Sequence, residues 1–126
     1  MSVEQAITYS ERSRLYVDNA ADMLRRQRPE KSSEFLWGAM AEALKAVAAV
    51  KDIRLRTHAE IRRYARDLAK QLSDERLLNA YSVAETLHSN FYEGMFDMGQ
   101  VMYHSGAIRE TVDTLLDLVP KAETDQ

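Results

Sequence analysis

With 126 residues, no cysteine, four glycines and two prolines, the chain has room for one domain and none for a disulfide, a thiol nucleophile or a cysteine-ligated metal. No apolar run approaches the ~20 residues of a membrane span and no leader pattern opens the N-terminus, so no membrane partner is expected and a cytoplasmic location is. The net charge of −3 divides unevenly, because residues 1–70 carry 14 Lys and Arg against 10 Asp and Glu while residues 71–126 carry 3 against 10.

Apolar residues recur at steps of three and four, the period of an amphipathic helix, and no strand of period two emerges. A first helix is expected from about Ser10 to Arg26, with Leu15/Tyr16, Asn19/Ala20 and Met23/Leu24 inward. Pro29 separates it from a second, capped by Ser32 or Ser33 and running to Val50, with Leu36, Trp37, Met40, Ala43, Leu44 and Val47 inward. Thr57 and Glu60 form a capping box for a third helix, Thr57 to Leu72. Ser73 and Asp74 open a fourth that ends near Met98–Gly99, with Leu77, Tyr81, Ala84, Phe91, Met95 and Met98 as its seam. Ser105-Gly106 reads as a turn before a short helix from Ala107 to Leu118, and residues 120–126 as a polar tail. The expected fold is all-α: one domain, an up-and-down four-helix bundle with an additional short C-terminal helix, ordered over about 10–118.

His88 falls within the apolar seam of the fourth helix. Glu85, Tyr81 and Tyr92 lie within one or two turns on its face. It is either a core histidine satisfied by Glu85 or a tyrosine, or an acid, base or phosphate ligand. Asn90 and Glu93 point away from it, roughly 160° and 140° around the helix, onto a solvated face or into a dimer cleft. On the second helix Glu34, Gly38, Ala41, Lys45 and Ala48 form a strip whose middle is nearly bare of side chain, suited to a close intrachain contact or to a homodimer seam. Trp37 fits either the core or a stacking platform for a base. The basic run from Lys51 to Lys70 offers Arg62, Arg63 and Arg66 as phosphate contacts, and equally fits a solvated helix face. Glu85-x-x-His88 matches half of a di-metal template, but no second copy exists. A mononuclear site on His58, His88 and His104 stays open, but nothing in their spacing demands one, and neither metal nor cofactor is expected.

Two stretches together resemble a known family. Ser33-Glu34-Phe35-Leu36-Trp37-Gly38-Ala39, continued by Ala41-Glu42-Ala43-Leu44-Lys45-Ala46, is similar to the second helix of the archaeal PaREP-type proteins. Leu87-His88-Ser89-Asn90-Phe91-Tyr92-Glu93-Gly94 is similar to their fourth. The resemblance places the chain in the HEPN superfamily of small helical bundles, named for nucleotide binding. It implies a HEPN-like homodimer and a defence or toxin–antitoxin setting, often beside a nucleotidyltransferase-type partner. Active HEPN members are metal-independent ribonucleases whose motif is an Arg followed, after four to six residues, by a His. That motif is absent. The corresponding positions hold Tyr81, Ser82 and Val83 ahead of His88, and Asp97, Met98 and Gly99 ahead of His104. Ahead of His58 they hold Lys51, Asp52 and Ile53, and Arg54 stands one step too close.

The expected function is therefore a divergent, non-catalytic HEPN-like module that binds nucleotide, RNA or a partner protein. Its pocket would be drawn from Glu34, Trp37, Lys45, Glu85, His88, Asn90, Tyr92 and Glu93, with Arg62, Arg63 and Arg66 attracting phosphate. The alternatives are a metal-independent ribonuclease using His88 with an Arg from across a dimer, and a structural homodimeric partner subunit.

Overall fold

The computed structural model describes residues 2–121, without the side chains of Ser2 and Tyr92. Among them are five helices and no strand: α1 Ser2–Arg25, α2 Pro29–Val50, α3 His58–Leu72, α4 Glu75–Glu93 and α5 Met98–Leu116. None is long and apolar enough to cross a membrane.

The second helix is the axis of the molecule. Its sequence is apolar or small around most of its circumference, and a helix of that kind is enclosed by others. All the residues expected to face inward are buried, as are Ala39, Ala41, Ala46, Ala48 and Ala49 on its other sides. Alanine keeps the surface of α2 thin, so α1, α3, α4 and α5 all pack directly on it. Helix α1 runs antiparallel to it, as Ser13 Oγ donating to the Ala39 carbonyl (2.7 Å) and Ser32 Oγ to the Ala20 carbonyl (2.9 Å) require. Helix α4 is also antiparallel to α2, since Ser33 meets Asn90 while Trp37 meets Tyr81.

Several expected boundaries move. Helix α1 begins eight residues earlier than expected, and Ala6, Ser13 and Ala20 form its buried line while Leu15 is 55% exposed. Helix α2 begins at Pro29, a favoured first-turn position, behind an Arg28 N-cap that makes no side-chain bond. Ser32 and Ser33 are not caps: both are buried, and Ser33 Oγ donates to the Pro29 carbonyl. Helix α4 ends at Gly94 rather than Gly99, because Gly94 adopts the left-handed conformation (φ +63°) that closes a helix. Met95 thus leaves the seam and is 60% exposed. A capping box of Asp97 and Gln100 then starts α5, which runs straight through Ser105-Gly106. The final helix is 19 residues long, not a short addition. The capping box at Thr57 and Glu60 is present as expected.

Candidate functional site

The geometry of the site starts at the end of α2. Asp52 takes a positive φ of 61°, and the Ile53 N–H reaches back to the Ala48 carbonyl. This reverses the chain, and residues 53–57 bring Arg56 and Thr57 to one cavity with Lys45 and Ala41 of α2. Leu55 of this segment packs on the core while Arg54 and Arg56 stay exposed. The Thr57 cap fixes His58 as the first residue of α3, and His58 lands on Trp37.

Trp37 is the centre of a ring cluster. Its indole stacks on His58 with centroids 4.7 Å apart and planes 23° from parallel. His88 lies 5.4 Å away and Tyr81 5.9 Å away, the latter edge-on. The two imidazole centroids are 5.8 Å apart. Each imidazole has its own carboxylate, His58 Nε2 donating to Glu85 Oε2 (2.6 Å) and His88 Nδ1 to Glu34 Oε1 (2.9 Å). The Glu85 oxygen also accepts from Arg62 Nη2 (2.8 Å) and from the Tyr81 hydroxyl (3.1 Å).

These contacts set the charge states. Partial burial is the largest single influence on Glu85 and opposes its ionisation. The hydrogen bonds from Arg62, His58 and Tyr81 together outweigh it and hold the carboxyl below the usual range. Tyr81 moves the other way: burial, reinforced by the Glu85 carboxylate, pushes its phenol well above the usual value and keeps it a proton donor.

Beside the cluster is a groove in two parts. One cavity of about 390 Å³ is lined by Glu34, Trp37, Lys45, Arg56 and His58, with Tyr16 of α1 opposite. A second of the same size is lined by Gln5, Tyr9, Asp52 and Arg54, and shares Lys45 and Arg56 with the first. Lys45 shares the buried Glu42 with Arg12, at 3.3 and 3.2 Å. Neither Arg54 nor Arg56 forms an ion pair among the described residues, so two guanidinium groups are available to an anion. Among the described residues no three histidine or carboxylate side chains are grouped to hold a metal ion.

The family model that matches this chain is described as the archaeal PaREP1/PaREP8 family and covers residues 8–112. The chain belongs to the archaeal PaREP1/PaREP8 family. The match includes all of α2, α3 and α4, and with them the ring cluster and nearly the whole groove. No curated protein and no solved structure matches it.

In this PaREP1/PaREP8 chain the expected pocket residues separate into groups. Glu34, Trp37, Glu85 and His88 come together in the ring cluster, and Glu34, Trp37 and Lys45 line the groove. His88 takes Glu34 as its carboxylate, not the Glu85 on its own helix. Asn90 is not on a solvated face and not in the pocket: it is 1% exposed, donates to Ser33 Oγ (2.9 Å) and accepts from the Phe96 N–H. Two hydrogen bonds thereby tie the α4–α5 link to α2. Glu93 is exposed at the end of α4 and lines neither part of the groove. The Tyr92 side chain lies outside the described residues. The three arginines of α3 do not act as one patch, since Arg62 is committed to Glu85 while Arg63 and Arg66 line neither part of the groove. Gly38, on the small-residue strip, is met by the Tyr16 ring of α1, so the close approach made at Gly38 is intrachain.

His58, Arg54 and Arg56 line the groove, although none is among the residues expected to form the pocket or to attract phosphate. One signal points to the two arginines. Arg54-Leu55-Arg56 alternates polar and apolar just before a capping box, the pattern of an extended segment with Leu55 inward and both arginines outward.

Proposed function

We propose that this chain is a divergent HEPN-like module that binds single-stranded RNA along the groove between α1, α2 and the 51–57 segment. One observation carries this: two adjoining cavities share Lys45 and Arg56, are lined by Arg54 and Arg56, and include Tyr9, Tyr16 and His58 in the same walls. Cations follow a phosphate backbone, while aromatic faces accept bases whatever their sequence, and strand binders interleave the two. Trp37, 9% exposed, supports His58 from within and does not itself meet a base.

HEPN membership, with its nucleotide-binding and toxin–antitoxin associations, is part of this proposal and is supported by the family to which the chain belongs. Trp37 is the chain's single tryptophan, so its fluorescence reports on the groove directly. Titration with single-stranded RNA is expected to change Trp37 emission with an affinity that falls as salt rises. RNA that binds, by anisotropy, without altering that emission would place the site elsewhere on the molecule.

A further inference from the structure

Three histidines are present, and one of them combines an orienting carboxylate with a cavity that holds two cations. His104 lines a separate cavity with Arg76 and Glu110, and no carboxylate accepts from its ring among the described residues. His88 gives Nδ1 to Glu34 and lines neither part of the groove. His58 lines the cavity that also holds Lys45 and Arg56, and its side chain is 39% exposed, so a solute can reach it.

The His58 ring is oriented from two sides. Trp37 stacks on one face, and Glu85, itself held by Arg62 and Tyr81, accepts from Nε2 at 2.6 Å. A carboxylate only accepts, so the proton of the neutral imidazole sits on Nε2 and the lone pair on Nδ1. Among the described residues Nδ1 has no hydrogen-bond partner. A ring held in this way is an oriented nitrogen nucleophile. The carboxylate behind Nε2 stabilises the positive charge that the ring gains when Nδ1 forms a bond. The electrophile that suits the cavity is anionic, because Lys45 and Arg56 line it and Arg56 forms no ion pair among the described residues. A phosphoryl group is both electrophilic and anionic.

We propose that His58 Nδ1 is a phosphoryl-accepting site, modified by a small high-energy phosphate donor of the phosphoramidate or acyl phosphate class. Glu85 is its positioning residue, and Lys45 and Arg56 hold the phosphoryl oxygens. The Nδ1 lone pair bonds to phosphorus while the bond from phosphorus to the leaving group breaks. The leaving group departs with that electron pair, as ammonia from phosphoramidate or as a carboxylate from an acyl phosphate. The product is a phosphohistidine whose Nε2 keeps its proton and still donates it to Glu85. Lys45 and Arg56 stabilise the charge on the oxygens during transfer. Nothing in this step requires RNA, so the modification and the RNA-binding function stand or fall separately.

The test treats the intact protein, in chelator, with phosphoramidate or with acetyl phosphate in separate arms. Phosphate is located by peptide mass spectrometry in alkali, and the ring nitrogen is assigned by NMR. One acid-labile phosphoryl group per chain is expected, on Nδ1 of His58, formed at least about 10-fold faster than any on His104. Transfer to that atom from either donor supports the proposal, and the arm that reacts identifies the leaving group. Arg56→Gln should slow the modification of His58 and leave the rate at His104 unchanged. Glu85→Gln, whose amide can donate as well as accept, should release the other tautomer and add the Nε2 isomer, a change that loss of packing alone does not produce. Modification of His104 as fast as His58 means adventitious reactivity only and overturns the proposal. So does the Nε2 isomer as the main wild-type product, or the absence of phosphohistidine in both arms; none of these outcomes needs a variant to fold.

Discussion

At the scale of single residues, two side chains carry obligations that the chain cannot easily drop. Glu85 gathers Arg62, His58 and Tyr81 on one oxygen, and its carboxyl is held below the usual range despite partial burial. A carboxyl whose folded-state pKa is depressed contributes stability that is present above its unfolded value and lost as pH falls through the folded one. Glu85→Gln should therefore cost about 1 kcal/mol at neutral pH, a figure discounted for partial exposure. The gap to wild type should close as pH drops below about 4. Urea unfolding at a series of pH values measures both. Asn90 is the other such residue. Asn90→Ala removes the acceptor for the Phe96 N–H and the donor to buried Ser33 Oγ. A loss of roughly 2–3 kcal/mol is expected, because the groups left behind are unsatisfied. A loss below about 0.5 kcal/mol by denaturant titration would mean that water replaces Asn90 freely.

At the scale of elements, the helices follow from local chemistry, and two glycines test how locally. Gly106 sits inside α5 and faces open space, so a Cβ there would meet nothing within 4 Å. Gly106→Ala should raise stability by about 1 kcal/mol, the ordinary helical preference of Ala over Gly. At Gly38 the same substitution brings a Cβ to 3.0 Å from the Tyr16 ring. Gly38→Ala should gain less than Gly106→Ala or lose stability, depending on how far the ring gives way; thermal unfolding of the pair decides it.

Element type is fully legible in the sequence, and element ends only where a cap is unambiguous. Thr57–Glu60 and Asp74 are readable because a side-chain oxygen three residues ahead of a free N–H leaves little choice. The periodicity carries the fourth helix too far because Gly94 and Gly99 compete as terminators, and only backbone geometry selects Gly94. Ser105-Gly106 resembles a turn by residue type, yet burial of Val101, Ile108 and Val112 on one face keeps the helix intact through it.

At the scale of the whole molecule, the site depends on a packing that no single segment announces. Enclosure of α2 is visible in its alanines, and His88 and Trp37, expected in one pocket, do lie against each other. What stays hidden is that the 51–57 segment doubles back, bringing His58 onto Trp37 and exchanging the expected carboxylate partners: Glu85 goes to His58, and Glu34 to His88. Pairings across 27 and 54 residues have no periodic signature in one sequence. The cations of the basic run also differ in their surroundings. Arg62 is neutralised within the fold, while Arg54 and Arg56 form no ion pair among the described residues and stand beside the groove.

The central claim is that those two arginines meet phosphate. Its most direct test is the salt dependence of single-stranded RNA binding by wild type and by the Arg54→Gln, Arg56→Gln double variant. If both arginines touch the strand, removing the pair should make the slope of log K against log salt shallower by roughly 1.4. Equal slopes in the two proteins would mean that neither arginine touches the RNA backbone and would contradict the account.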